Sequence, residues 1–229
     1  MIRKIYFSRF VQKLLKTDRA NISKIVNDDW SVLDIGCGPN PPLLEYVRPA
    51  SYVGVDAYQG SINRLLANQN FDSLKDKKAI CTTIETLNFE SNQFDAVLLV
   101  DLIEHLPKQM GVEVLENSKR WSSKAVYVST PNGFLQQKPY DSNSYQEHLS
   151  GWTKEDFEAL GFQWIRGGGG PKFLRLGEMS PEQWNHADAG SIRFKPKKFW
   201  SIVANLLQCF SFWLPTYSYQ LYAVYWKDE

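Results

Sequence analysis

The stretch Val32-Leu33-Asp34-Ile35-Gly36-Cys37-Gly38-Pro39-Asn40 is where the architecture of this chain first becomes readable. Its first half is an apolar, β-branched run of the kind that forms a buried strand, and Pro41–Val47 behind it reads as a helical stretch. Between them, Gly36 and Gly38 let the backbone turn sharply and approach a ligand with no Cβ in the way. A following helix N-terminus offers free amides and a positive dipole end. Asp56 lies 22 residues after Asp34, at the tip of the next strand in Val53-Gly-Val-Asp-Ala57. A carboxylate there can accept both hydroxyls of a ribose. Strand, glycine turn, helix and acid in this register describe a binding loop for a nucleoside-containing cofactor. A nicotinamide dinucleotide would need a third glycine, which packs the helix close and leaves room for a pyrophosphate; Pro41 stands there instead.

Outward from this loop, Ser31–Ile35, Tyr52–Val55, Ala79–Thr82, Asp95–Val100 and Ala125–Ser129 read as buried strands. Pro41–Val47, Ser61–Gln69 and Pro107–Trp121 lie between them as crossover helices. Strands separated by such stretches form βαβ units, hence a doubly wound α/β domain with helices on both faces of a mostly parallel sheet. Thr153–Leu160 reads as a helix with Thr153 as cap, Asp156 in the capping-box position and Gly161 as stop, leading into a strand at Phe162–Arg166. Gly167-Gly-Gly-Gly170-Pro171 reads as a flexible joint. Phe199–Leu214 is apolar except for Ser201, Asn205, Gln208 and Ser211, which fall at helical spacing as one narrow uncharged stripe. Tyr219–Trp226 reads as a closing strand. The domain division is then a basic helical segment at 1–28 and one domain at 29–229, with a lid or insertion at 167–218.

The 229 residues, 43% of them hydrophobic and 14% aromatic, suffice to bury a sizeable core. With 26 Lys and Arg against 25 Asp and Glu, there is no global field of the kind that announces a nucleic-acid binder, and no DNA partner is expected. The first 24 residues differ from the rest: Arg3, Lys4, Arg9, Lys13, Lys16, Arg19 and Lys24 face Asp18 alone. Cys37, Cys81 and Cys209 are too scattered for a disulfide framework or a zinc knuckle. No run reaches the roughly 18 apolar residues of a membrane span. A cytoplasmic protein, with contact at the inner face of the membrane as its one membrane option, is the expectation.

From Ser31 to Phe162 the chain resembles the class I S-adenosylmethionine-dependent methyltransferases, whose first motif is acid-x-Gly-x-Gly. Asp34, Gly36 and Gly38 match that motif, with Cys37 inside it, and Asp56 followed by Ala57 matches the ribose acid. Thr83-Ile84-Glu85-Thr86-Leu87-Asn88-Phe89 resembles the segment beside the adenine. Phe94-Asp95 through Asp101-Leu-Ile-Glu104-His105-Leu-Pro107 resembles the fourth-strand motif. The resemblance implies S-adenosylmethionine as cofactor, a seven-stranded Rossmann-like sheet with an antiparallel C-terminal strand, and cofactor contacts from Asp34, Gly36, Cys37, Gly38, Asp56, Ala57, Thr83, Ile84, Glu85 and Asp101. Asn40 stands where many members have a third glycine, and Thr83 where an Asp often bonds the adenine amine. Asn40-Pro-Pro-Leu43 imitates the motif of nucleobase amino methyltransferases, but that motif belongs at the end of strand four, where Val100-Asp101-Leu102 stands, so base N-methylation is discounted.

Methyl transfer is an in-line displacement at a sulfonium carbon, so the protein must align the acceptor and, for a hydroxyl, remove a proton. Groups near the carboxyl ends of the strands qualify. These are Asp101, Glu104 and His105 after strand four, and the loop from Ser129 to Trp152. His148, in a polar loop, is the expected general base; His105 orients the loop, and no metal is required. A second reading is metal-assisted. Asp101-x-x-Glu104-His105 with His148 resembles the arrangement of small-RNA 3′-end and, in part, quinone-ring O-methyltransferases, in which one helical turn puts Asp101 and His105 on a common face as ligands for Mg, Mn or Zn. The wider pattern, including Thr130-Pro-Asn-Gly-Phe134, resembles bacterial and archaeal methyltransferases linked to surface polysaccharides. It implies a hydroxyl of a sugar, glycan or lipid-linked acceptor. A non-catalytic subunit that binds S-adenosylmethionine is the rival outside enzymology.

Overall fold

In the computed structural model, residues 18–139, 143–176 and 191–227 are described; residues 1–17 of the basic helical segment expected at 1–28 lie outside them. The strands are β1 (Ser31–Ile35), β2 (Ser51–Asp56), β3 (Lys77–Cys81), β4 (Phe94–Val100), β5 (Ser122–Pro131), β6 (Trp164–Pro171) and β7 (Ser218–Trp226). The helices are α1 (Asp18–Ile25), α2 (Gln59–Leu66), α3 (Gln69–Asp72), α4 (Lys108–Trp121), α5 (Lys154–Ala159) and α6 (Lys197–Trp213). One sheet of seven strands runs in the order β3-β2-β1-β4-β5-β7-β6. Strands β1 to β5 pair in parallel, and β7 enters antiparallel between β5 and β6.

Alternation along the central strands builds two cores. Val32, Ala96, Leu98, Ala125 and Tyr127 pack with Ile62 and Leu65 of α2 on one face. Leu33, Val97, Leu99, Val126 and Val128 pack with Val114, Leu115 and Trp121 of α4 on the other. A strand with both faces covered must be apolar at every position, which is why these runs carry no polar alternation. The crossover after β1 is a single 3₁₀ turn, Pro42–Glu45, rather than the helix expected over Pro41–Val47. Pro41 and Pro42 fit its start, but neither has an N–H to extend the ladder. The capping box of α5 forms as its sequence implies: Thr153 accepts from the Asp156 amide and Asp156 from the Thr153 amide.

The C-terminal third departs from expectation in two ways. Gly167–Pro171 is not a joint but part of β6, paired with β7 through Gly167↔Leu221 and Gly168↔Gln220, so the segment expected as a lid at 167–218 begins inside the sheet. A Cβ on Gly167 would stand 2.1 Å from the Ser211 carbonyl oxygen of α6, and one on Gly170 would stand 2.7 Å from that of Ala204. The glycines let α6 lie with its backbone against the strand. The polar stripe of α6 therefore faces inward: Gln208 and Ser211 are 4% and 3% exposed, whereas Leu206 and Phe210 are 66% and 67% exposed. Small Ala204 and Ser211 permit the close approach, and the bulky apolar side is left outside.

Candidate active site

The strand ends β1, β2 and β4 open into one cavity of about 860 Å³, and every residue named above as cofactor-binding or catalytic lines it. Gly36 and Gly38 have φ of 72° and 58°, the left-handed region that glycine adopts without strain. The amides of Gly36 and Cys37 both donate to the Val55 carbonyl, at 2.8 and 3.0 Å, tying the turn to β2. Asp56 completes the tie: it accepts from the amides of Gly38 at 3.0 Å and Tyr58 at 2.8 Å. A Cβ on Gly36 would meet Leu102 at 2.8 Å, whereas one on Gly38 would stand in open space. Ala57 follows Asp56, and Thr83 precedes the 3₁₀ turn Ile84–Thr86 that carries Glu85 on the adjoining wall.

Asp34 is buried beneath this turn. Its Oδ2 accepts from the Tyr52 hydroxyl at 2.6 Å, and its Oδ1 is buried with no hydrogen-bond partner. Burial, opposed by the Tyr52 bond, pushes its carboxyl up to about 7, and burial of the Cys37 thiol raises that group well above the usual thiol range. An unpartnered carboxylate oxygen at a cavity wall costs free energy until a donor or cation meets it. S-adenosylmethionine carries an ammonium, a sulfonium and ribose hydroxyls, so Asp34, Asp56 and the open face of Gly38 fit it.

On the acceptor side, β4 is followed by Asp101, whose φ of 50° is uncommon for a residue with a side chain. Its Oδ1 accepts from Ser129 at 3.1 Å and from Gln220 at 2.8 Å. The next residues form a 3₁₀ turn, Ile103–His105, rather than the start of a helix. The common face expected for Asp101 and His105 does not form, and the cluster consists of Glu104, His105 and His148. One ligand atom from each of these three lies within 4.8 Å of the others. The loop bearing His148 is stapled to this turn: the Leu149 and Ser150 amides donate to the Glu104 carbonyl, and the Ser150 hydroxyl and Trp152 indole donate to that of Ile103.

The two rings lie 4.7 Å apart, edge to face. His105 Nδ1 meets the Glu147 carbonyl at 3.1 Å and His148 Nδ1 meets that of Leu135 at 2.6 Å. A carbonyl only accepts, so each Nδ1 carries the proton and each Nε2 keeps its lone pair for a ligand. Burial and the neighbouring His105 bring His148 down to about 4, and burial lowers His105 as well, so both rings are neutral at pH 7. Glu104, 3% exposed, accepts from the Thr130 hydroxyl at 2.9 Å. Burial and then the charge of Asp101 raise its carboxyl well above the ordinary range. Two lone-pair imidazoles and one carboxylate, each braced by a backbone or side-chain partner, are a donor set that suits Zn, Mn or Mg. Gln220 is the site residue that no motif contains, because it reaches Asp101 from β7, whereas Thr130, part of the Thr130–Phe134 pattern, holds Glu104 from β5.

Residues 32–124 match the family model described as methyltransferase domain. The mitochondrial ubiquinone biosynthesis O-methyltransferase of Rattus norvegicus is 35% identical over 97 residues, 41% of this chain, and the ubiquinone biosynthesis O-methyltransferase of Bartonella tribocorum is 35% identical over 95 residues, 40% of this chain. The matched part spans only 28% and 37% of those two proteins. A SAM-dependent methyltransferase from Archaeoglobus fulgidus superposes over 95% of this chain and 98% of its own, with a TM-score of 0.50 at 14% identity, a likeness of fold. The methyltransferase-domain match runs from β1 and the glycine turn to the start of β5, and the seven-stranded sheet completed by an antiparallel β7 is the fold of the class I S-adenosylmethionine-dependent methyltransferases, to which this chain is similar.

Proposed function

We propose that the chain is an O-methyltransferase that transfers a methyl group from S-adenosylmethionine to a hydroxyl held at a divalent cation by Glu104, His105 and His148. The observation that carries this reading is the convergence of those three ligand atoms within 4.8 Å in the cavity that Asp34 and Asp56 also line. When bound, the cofactor supplies an electrophilic methyl on a sulfonium, and the cation supplies positive charge that makes a bound hydroxyl more acidic. The chain's own residues do the rest. Asp56 accepts the ribose hydroxyls, Asp34 Oδ1 accepts from the ammonium, and Thr83, Ile84 and Glu85 border the base. The buried Glu104 is held by Thr130, and each imidazole is aimed by the carbonyl on its Nδ1. Asp101, fixed by Ser129 and Gln220, is the carboxylate placed to take the acceptor proton as the C–O bond forms and the C–S bond breaks. The match to two ubiquinone biosynthesis O-methyltransferases favours a ring hydroxyl as acceptor.

A second reading uses no cation: His148, neutral at pH 7 with Nε2 unprotonated, removes the proton from a sugar or glycan hydroxyl itself. Transfer of labelled methyl to hydroxylated aromatics and to cell-envelope extracts, with and without EDTA, separates the two. Under the first reading EDTA reduces transfer to background and Mg²⁺, Mn²⁺ or Zn²⁺ restores it. Transfer indifferent to EDTA but lowered by about 10² in His148→Ala overturns the cation and supports the base. Cofactor bound without transfer to any acceptor overturns both and leaves a binding subunit.

A further inference from the structure

We infer that the outward face of α6 docks this protein on an anionic membrane surface. The helix presents Phe199, Ile202, Leu206, Phe210 and Trp213 to the outside, spaced three and four residues apart so that they form one stripe. These residues are outside because the polar stripe is inside, where the glycines of β6 admit only a helix side that approaches closely. An amphipathic helix normally turns its apolar stripe to the core. This one buries Ala204 and Phe212 and still leaves a second, bulkier stripe outside, and an exposed stripe of this length marks an interaction surface rather than scattered surface apolarity.

Charge identifies the occupant. Between Asp188 and Asp228 the chain has no acidic residue, while Arg193, Lys195, Lys197 and Lys198 lead into the helix and are exposed. An apolar stripe with cations beside it and no acid matches a leaflet of anionic headgroups over acyl chains. A second copy would bring an equally cationic, acid-free face against it. The chain's own first 17 residues, with Arg3, Lys4, Arg9, Lys13 and Lys16 and no acid, carry the same sign. Trp213 and Tyr217, exposed at the far end, are the amphipathic rings that settle at the headgroup level. Among the described residues no helix is long and apolar enough to cross a membrane, so the contact is peripheral.

Arg193 and Tyr217, which flank α6, line a cavity beside the first. This second cavity, of about 540 Å³ and lined also by Phe134 and Phe173, shares Pro131, Leu135 and Tyr219 with the first. An acceptor carried on an apolar tail in the bilayer would reach the site along this side. That consequence rests on the proposed O-methyltransferase reading; the docking itself does not.

The test is co-sedimentation of the full chain with vesicles of phosphatidylglycerol and phosphatidylcholine, against phosphatidylcholine alone. Binding is expected only with the anionic vesicles, falling as salt rises. Replacing Lys195, Lys197 and Lys198 by Gln lowers it by roughly a hundredfold. Leu206→Glu with Phe210→Glu abolishes it, while calorimetric binding of S-adenosylmethionine, which reports the fold and the cofactor reading separately, stays unchanged. Protein left in the supernatant at low salt overturns docking, as does vesicle binding that survives Leu206→Glu with Phe210→Glu. So does a dimer in gel filtration that those two changes dissociate, since a second copy would then cover the face.

Discussion

Two glycine runs, one after the inner strand β1 and one on the edge strand β6, use the same residue for different reasons. At β1, Gly36 and Gly38 adopt left-handed backbone, and a Cβ on Gly38 would stand in open space beside the cavity. At β6, Gly167 and Gly168 leave no such space: a Cβ would meet the Ser211 carbonyl at 2.1 Å and the Tyr222 hydroxyl at 2.0 Å. Glycine is required at the first run for conformation and ligand approach, and at Gly167 and Gly168 because the α6 backbone and the Tyr222 ring already occupy the Cβ position. A missing side chain thus reports either a vacancy for a ligand or a neighbour packed too close, and only the atoms around the Cβ position decide which.

The sharpest break of this comparison is Gly167→Ala. The clash is with backbone on α6, which has no rotamer to yield, so the expected loss exceeds about 3 kcal/mol, beyond ordinary overpacking, or the chain fails to fold. Thermal and urea unfolding of the purified variant measures it; a loss under about 1 kcal/mol would mean that α6 does not sit on β6 as described.

Next in size is the pH response of the buried Asp34. Its carboxyl is raised from 3.8 to about 7, so between those values the folded chain holds a proton that the unfolded chain has lost. Stability of the cofactor-free protein should fall as pH rises through that window, by up to roughly 4 kcal/mol at 1.36 kcal/mol per unit. Asp34→Asn should flatten this slope. Cofactor affinity should move the opposite way, strengthening as pH rises toward 7 with a proton released on binding, because the ammonium needs the ionised carboxylate. Calorimetry in two buffers of different ionisation enthalpy reads the released proton. Identical enthalpies in both at pH 6 would remove Asp34 from cofactor binding.

The smallest effect on stability belongs to Gly38→Ala, the counterpart of the first. A left-handed alanine costs about 1 kcal/mol and meets no neighbour, so the fold should survive with a modest drop in melting temperature. Cofactor affinity should fall at least about tenfold, near 1.4 kcal/mol, because the new methyl enters the ligand side of the turn. Equal losses of stability at Gly38 and Gly167 would erase the distinction between the two runs.

The chain's local signals were legible wherever partners lie within a few residues. The β1 turn, the alternating strands and the Thr153–Asp156 capping box depend on neighbours in sequence, and they form as read, apart from the proline-shortened turn after β1. Asp34, Asp56 and the Thr83–Glu85 segment share one cavity because parallel strands deliver their carboxyl ends to one edge. The acceptor side was legible only in part. His105 and His148 could be named, but their meeting with Glu104 depends on the Leu149 and Ser150 amides reaching the Glu104 carbonyl. Asp101, expected to share a face with His105, is instead turned by its positive φ toward Ser129 and Gln220, the latter 119 residues away.

By itself, then, the sequence determined an α/β sheet with a nucleoside-binding edge, because side-chain periodicity and backbone freedom are properties of short stretches. Tertiary structure alone decided which way α6 faces. A helix with one polar stripe is compatible with either orientation, and hydrophobicity favours turning that stripe outward. What settled it is shape: Gly167 and Gly170 on β6 bring the strand against the α6 backbone at Ser211 and Ala204, so those small residues go in and Leu206 and Phe210 stay out. That constraint couples residues some forty positions apart, and no window of local sequence contains it.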